Sequence, residues 1–136
     1  MRILALDIGD KWTGSAISDP LGILARPYKT VETNEIEIFL SETIGSEKIE
    51  KIIVGYPKTM RGTESEQTKK IKELKEKLEK TFDLVEWQLW DERFSSKRAA
   101  SVKKARTKEE KIFSHSIAAS FILDSYLTFI HTQKSL

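Results

Sequence analysis

The sequence predicts an α/β protein in which helices cover both faces of a mixed β-sheet. Short apolar segments of strand length alternate along the chain with longer amphipathic segments of helical period. The first three strand segments follow one another with only short connections, which predicts antiparallel neighbours. The two later strand segments are each reached through a helix, which predicts parallel pairing through right-handed crossovers.

Three strands are expected at the start of the chain, at residues 2–6, 12–18 and 25–30. The first is an apolar run that ends before Asp7, and the second carries the small residues Gly14 and Ala16. An Asp-Pro-Leu-Gly turn at residues 19–22 leads out of the second strand.

The middle of the chain predicts a helix followed by a buried strand. Asn34 is expected to cap the helix, whose apolar residues recur at helical spacing and which ends at Gly45. Residues 49–56 form the clearest strand, because their centre is apolar without polar alternation. That pattern predicts a central position in the sheet with both faces covered.

The second half of the chain predicts one more strand among helices. After a loop at residues 57–62, Thr63 and Glu66 stand three residues apart in a capping-box pattern. A long amphipathic helix follows, and Ile71, Leu74 and Leu78 form its apolar face. Another strand is expected at residues 84–90, and two helices at about residues 95–105 and 112–130.

Length and composition favour one domain over residues 1–136, with 39% apolar residues for a core and 32% charged residues for the surface. No cysteine is present, which excludes disulfide scaffolds, thiolate zinc sites and cysteine nucleophiles. No apolar run approaches the roughly 18 residues of a membrane span, and the first residues do not form a signal peptide. We therefore expect a cytoplasmic protein that makes no contact with membranes.

Acidic residues stand where strands are expected to end, at Asp7 and at Asp91 and Glu92. The carboxyl ends of parallel strands share one edge of a sheet, where ligands bind. Carboxylates that converge from separate strands repel one another unless a cation neutralises them, and oxygen ligands suit Mg²⁺ or Mn²⁺. The alternative is that these acids only cap loops or pair with Arg93.

Positive charge is concentrated in residues 93–111, which carry eight Lys or Arg against two Glu, an excess of six. Such a stretch can face phosphates. It can equally be a solvated helical face, since basic surface stretches are common.

Four short motifs in order resemble the YqgF family of pre-16S rRNA nucleases, which have also been named Holliday junction resolvases. The match spans nearly the whole chain, and its motifs are Asp7-Ile8-Gly9-Asp10-Lys11 with Gly14, Ala16, Ser18, Asp19 and Pro20; Val54-Gly55-Tyr56-Pro57 with Met60, Gly62 and Thr63; Trp90-Asp91-Glu92-Arg93 with Ser95; and Ala118-Ala119 with Ile122, Leu123, Ser125, Tyr126 and Leu127. The resemblance implies a ribonuclease H-like fold and a cytoplasmic nuclease that acts on structured nucleic acid, chiefly at the 5′ end of the small-subunit rRNA precursor.

The resemblance also implies a set of catalytic, metal-binding residues. Its first carboxylate corresponds to Asp7 and its second to Glu92, while the position of the third carboxylate is occupied by His115. A neutral imidazole binds Mn²⁺ and, less readily, Mg²⁺, so a changed metal preference is expected. A structural or capping histidine in a chain without catalysis is the alternative. Asp10 is a further candidate ligand, because it lies close to Asp7.

Contacts with nucleic acid are expected from basic side chains in the first turn, in the loop after the fourth strand and in the basic stretch: Lys11, Lys58, Arg61, Arg93, Lys97, Arg98, Lys103 and Lys104. The alternative for each is a solvated surface cation. The three tryptophans are expected to pack in or beside the core, with base stacking as a second role for Trp12.

The function hypothesis is a hydrolase, a metal-dependent endonuclease using Mg²⁺ or Mn²⁺ with Asp7, Glu92 and His115. Its partner is nucleic acid, either a ribosomal RNA precursor in ribosome biogenesis or branched DNA, and it acts as a monomer or a homodimer. A catalytically silent nucleic-acid-binding assembly factor is the rival hypothesis. Cleavage that depends on metal separates the two.

Overall fold

The computed structural model describes residues 1–57, 65–91 and 107–134. Its strands are β1 (Arg2–Ile8), β2 (Trp12–Ser18), β3 (Ala25–Glu32), β4 (Ile49–Tyr56) and β5 (Glu86–Asp91). Its helices are α1 (Ile36–Ser46), preceded by a 3-10 turn at Thr33–Glu35, α2 (Glu66–Thr81) and α3 (Lys108–Lys134). None of the helices in these described ranges is long and apolar enough to cross a membrane.

The five strands form one mixed sheet in the order β3-β2-β1-β4-β5. β1 pairs antiparallel with β2 and parallel with β4, while β2–β3 is antiparallel and β4–β5 is parallel. This confirms the predicted division into three antiparallel strands and two later parallel strands. β4 lies between β1 and β5, and its central residues Ile52, Ile53 and Val54 are fully buried, as their apolar run predicted.

One hydrophobic core lies between the sheet and the helices α1 and α2. Leu4, Leu6 and Ile8 point to this side from β1, and they pack with apolar residues of both helices. Because strand side chains alternate, Ile3 and Ala5 point to the opposite side. Helices therefore cover both faces of the sheet, as predicted.

A second core lies between the other face of the sheet and α3. Ile3 and Ala5 pack there with Ala119, Leu123 and other residues of that helix. Trp90 of β5 joins this core, where its indole Nε1 donates to Ser125 Oγ at 2.8 Å. Trp87 lies in the first core, so the expected core packing is confirmed for Trp87 and Trp90, whereas Trp12 is partly exposed and belongs to neither core.

Several predicted boundaries are wrong by a few residues. β1 continues to Ile8 and β5 to Asp91, so Asp7 and Asp91 lie inside strands and not after them. β3 extends to Glu32, and β5 begins at Glu86 because Leu84 lies in an exposed turn. Periodicity misses these ends because backbone pairing continues past the last apolar residue.

The helix starts also differ from the predictions. α1 begins after the 3-10 turn, so Asn34 is not its cap. The cap of α2 is Ser65, whose hydroxyl accepts a hydrogen bond from Thr68 N at 3.1 Å, while the predicted cap Thr63 lies outside the described residues.

α3 starts four residues earlier than predicted and ends four residues later. Thr107 and Glu110 form a capping box there: Glu110 N donates to Thr107 Oγ1 at 3.0 Å, and Thr107 N donates to Glu110 Oε2 at 3.3 Å. The predicted helix at residues 95–105 lies outside the described residues.

α3 packs closely on the sheet at Gly14 of β2. A Cβ atom added at Gly14 would overlap the main chain of His115 and Ser116. These are backbone atoms in a helix, so no rotation of a side chain can make room. The closeness of this contact depends on the absence of a side chain at Gly14.

We expect Gly14→Ala to lower the free energy of unfolding by about 1–3 kcal/mol, because the added methyl group forces α3 away from the sheet. Chemical denaturation measures the change. Gly45→Ala is the matched control, since nothing lies within 4 Å of a Cβ at that helical position. The control should leave stability equal or raise it by up to about 1 kcal/mol. Equal stability of the two variants would contradict the close packing of α3 on Gly14.

Candidate active site

The candidate site lies near the carboxyl end of β1, where Asp7 is partly buried. Asp7 is two residues after Ala5, so its side chain points to the face of the sheet that α3 covers. Across the antiparallel pair it stands opposite Gly14. Because Gly14 has no side chain, the main chain of α3 can occupy the space above β2 beside the carboxylate.

α3 enters this space with His115 and Ser116, which lie directly over Gly14. Side chains of directly opposed strand residues stand about 4.5–5.5 Å apart, so Asp7 and the helix segment at His115 are neighbours. Ser116 is fully buried and its Oγ shares a hydrogen bond of 2.5 Å with Thr30 Oγ1 of β3. This bond ties the helix to the sheet on the other side of Gly14 from Asp7.

Thr33, in the 3-10 turn, holds the β1–β2 turn in place. Its backbone N donates to Lys11 O at 2.8 Å, and its Oγ1 donates to Gly9 O at 2.7 Å. The same hydroxyl lies 2.8 Å from Thr13 Oγ1. Gly9 N also donates across the turn to Trp12 O at 2.9 Å. The segment that follows Asp7 is therefore fixed by backbone and side-chain hydrogen bonds.

A pocket of about 390 Å³ opens between this turn and the first two turns of α3. Its lining residues are Lys11, Trp12, Glu32, Lys108, Lys111, Ile112 and His115. The residues from α3 stand at helical positions i, i+3, i+4 and i+7, so they share one face of the helix. His115 belongs both to this pocket and to the helix segment beside Asp7.

The other acidic residues predicted at the site are placed differently. Asp91 ends β5 opposite Tyr56, and it alternates with Trp90, so its side chain points away from the α3 face. Asp10 is exposed in the β1–β2 turn. Glu92 lies outside the described residues, as do most of the predicted nucleic-acid contacts: Lys58, Arg61, Arg93, Lys97, Arg98, Lys103 and Lys104.

The donor chemistry of the described residues fits part of a site for a divalent cation. Asp7 supplies a carboxylate and His115 an imidazole, which suit Mn²⁺ and, less well, Mg²⁺. Within residues 1–57, 65–91 and 107–134, no group of three or more His, Cys, Asp or Glu is arranged to hold a metal ion.

Two supporting residues of the site were not predicted from the sequence. Thr33 acts through contacts with the first turn, some 20 residues earlier in the chain, and no local pattern signals them. Glu32 was missed because the predicted third strand ended too early. The small side chains of β2 did give a signal, since a glycine inside a strand often marks a close backbone approach.

Comparison with known proteins places the chain among nucleases. A family model described as "RuvX: Holliday junction resolvase" matches residues 1–128. A protein of Caldicellulosiruptor bescii named "Putative pre-16S rRNA nuclease" is 41% identical over 95% of this chain and 97% of its own length. A protein of the same name from Clostridium tetani is 40% identical over 98% of this chain and its whole length.

The fold has a counterpart among solved structures. Thermus thermophilus RuvC in complex with a Holliday junction substrate superposes with a TM-score of 0.65, covering 97% of this chain and 96% of that one. Only 17% of the residues are identical, so the likeness concerns the fold. It confirms the ribonuclease H-like architecture expected from the sequence.

We expect Thr33→Val to lower the free energy of unfolding by about 1–2 kcal/mol, because the turn after Asp7 loses the hydroxyl bonds to Gly9 and Thr13. Thermal or urea unfolding measures this loss. Thr132→Val is the control: it removes a hydroxyl bonded only to the preceding helical turn, at an exposed position of α3. A Thr33 variant as stable as this control would mean that the turn does not depend on Thr33.

Proposed function

The chain belongs to the RuvX family, and from this membership we propose that it is a metal-dependent endonuclease that hydrolyses phosphodiester bonds in structured nucleic acid. The observation that carries the proposal is the carboxylate of Asp7 beside the α3 segment that bears His115, on one face of a RuvC-like sheet. The proposed nuclease domain comprises residues 1–136.

The proposed substrate is the 5′ end of the precursor of 16S rRNA, a role in ribosome biogenesis that belongs to the cytoplasm. Relatives that match nearly the whole chain carry this activity in their name. A four-way DNA junction is the second candidate, because the family model is described by that activity. Both substrates present folded, branched backbones with phosphates to be cut.

The proposed ligands of the divalent cations are Asp7, Glu92 and His115. Glu92 follows Asp91, the last residue of β5, in the sequence and lies outside the described residues. Gly55, the partner of Trp90 on β4, contributes no side chain to the space between β1 and β5. Two carboxylates and one imidazole form the proposed ligand set.

The chemistry follows from the charges of these side chains. Two divalent ions, when bound, activate a water for in-line attack and stabilise the leaving oxygen. Asp7, partly buried and followed by the fixed turn, would hold the ions through its carboxylate oxygens. His115 contributes a neutral nitrogen ligand, so the proposed site carries one negative charge fewer than a site with three carboxylates.

Substrate phosphates are proposed to contact the basic residues around this edge. Lys11 is exposed on the turn next to Asp7 and lines the pocket. The remaining proposed contacts come from the loop after β4 and from the stretch before α3: Lys58, Arg61, Arg93, Lys97, Arg98, Lys103 and Lys104. Each phosphate they neutralise releases counterions and steepens the salt dependence of binding.

A catalytically silent RNA-binding assembly factor is the alternative that His115 favours. It would use the same basic edge without cleaving the RNA, because the third carboxylate is absent. Cleavage by the wild type in the presence of Mn²⁺ or Mg²⁺ decides between the two functions.

Asp7→Asn should abolish cleavage of pre-16S rRNA, because a neutral amide cannot neutralise the cations. Affinity for the RNA should change little, since the phosphate-binding cations are elsewhere. Asp83→Asn is the control, an exposed acid in the turn before β5, and it should cleave as the wild type does. Asp10→Asn tests the neighbouring acid. If Asp10→Asn abolishes cleavage while Asp7→Asn remains active, Asp10 and not Asp7 is the catalytic carboxylate.

His115→Asp should shift the metal preference toward Mg²⁺, because an oxygen ligand suits that harder ion. His115→Ala should lower cleavage in Mn²⁺. Cleavage assays with each metal and calorimetric titration of the metals measure both effects. A wild type inactive in both metals whose His115→Asp variant cleaves would establish the silent binder. Identical behaviour of all three proteins would show that His115 is structural.

A further inference from the structure

The pocket beside the candidate site combines three kinds of side chain that no catalytic role requires. Lys11, Lys108 and Lys111 bring three ammonium groups to it, and Trp12 brings an indole that is partly exposed. Glu32 is its acidic member and stands opposite Trp12 across the β2–β3 pair. An aromatic face together with several cations is the chemistry that recognises a nucleotide with an unstacked base.

We propose that this pocket binds one unpaired nucleotide of the substrate, next to the phosphate that is cleaved. The base stacks on Trp12, and its phosphate lies against Lys108 and Lys111. Glu32 accepts a hydrogen bond from the sugar hydroxyl or from an exocyclic amino group. This inference rests on the proposed nuclease function, and it specifies that the substrate is single-stranded beside the cleavage position.

The position of the pocket supports a subsite that continues the active site. His115 lines the pocket, and its main chain lies over Gly14, the residue opposite Asp7. The two sites are thus adjacent along α3, on either side of Gly14. A strand that passes Asp7 can place its next nucleotide in the pocket without leaving the surface of the protein.

The pocket is large enough for a single unpaired nucleotide. Its volume of about 390 Å³ can accommodate one base, and a base that enters it is unpaired, because paired bases remain in their stack. Lys11 Nζ lies 5.7 Å from the centroid of the Trp12 ring. Lys11 is exposed and Trp12 is partly exposed, so a base can replace the ammonium over the ring.

The test measures the binding of labelled oligonucleotides to the full chain by fluorescence anisotropy. EDTA is present so that the oligonucleotides are not cleaved. The probes are a single-stranded RNA of about ten nucleotides, the DNA of the same sequence, and the corresponding RNA duplex. Trp12→Ala should weaken binding of single strands about tenfold and leave duplex binding unchanged. Trp12→Phe should retain most of the affinity, because it keeps an aromatic face.

A scan with an abasic residue at each position of the single strand locates the stacked base. At one position, the abasic probe should bind the wild type with about tenfold lower affinity than the intact probe. The same abasic probe should bind Trp12→Ala with the affinity of the intact probe, since both changes remove the same contact. A nuclease assay on the wild type then shows whether that position adjoins the cut. Additive losses at every position would overturn the stacking of a substrate base on Trp12.

Lys108→Gln with Lys111→Gln tests the phosphate contacts. This double variant should reduce the slope of log affinity against log salt by about one to two. Lys69→Gln with Lys70→Gln is the matched control, on the exposed face of α2 at the other side of the sheet, and should leave the slope unchanged. An equal slope for both double variants would overturn the proposed contact.

The outcomes separate this inference from the nuclease proposal. If the protein cleaves its substrate but Trp12→Ala binds single strands as the wild type does, the proposed nucleotide pocket is wrong and the nuclease proposal stands. Trp12-dependent binding by a chain that never cleaves supports the pocket and overturns the nuclease. Equal loss of duplex and single-strand binding in Trp12→Ala, or binding of a free mononucleotide as tight as that of the oligonucleotide, overturns the single-stranded subsite. RNA and DNA probes that differ show whether the sugar hydroxyl contributes.

Discussion

The contact between the main chain of α3 and Gly14 is the constraint on which the site depends. A helix normally stands off a sheet by the length of the side chains between them, but here the glycine lets the helix backbone reach the sheet. The second core, with Ala119 and Leu123 against Ile3 and Ala5, closes over the strands behind this point. The position of His115 relative to Asp7 follows from this backbone packing.

The two cores have different roles in the protein. The core under α1 and α2 is made of aliphatic and aromatic side chains from all five strands, and it stabilises the sheet. The core under α3 contains the same kinds of residue near the start of β1 but gives way to Asp7, Gly14 and the buried Ser116 toward the other end. The buried hydroxyl of Ser116 is tolerated there because it has a hydrogen-bond partner in Thr30.

Sequence patterns were sufficient for the architecture and insufficient for its edges. The apolar run at residues 52–54 predicted the central strand, and the order of strands and helices predicted the mixed sheet, because both follow from local periodicity and chain connectivity. The start of α3 was missed although Thr107 and Glu110 spell a capping box, since the residues between them and Ile112 are charged and show no apolar face. Asp7 was correctly expected near the end of β1. The support from Thr33 and the approach at Gly14 are tertiary contacts, which spacing along the chain does not encode.

The approach of α3 at Gly14 also means that the position of residue 115 does not depend on which side chain it carries. Because helix backbone rests on strand backbone, the helix does not need the side chain at position 115 to hold its place beside Asp7. Imidazole and carboxylate can exchange at that position while the scaffold and its distances stay the same. Under the proposed function, a change of the donor group at position 115 alters the chemistry of the site and leaves in place the backbone contact that positions the helix.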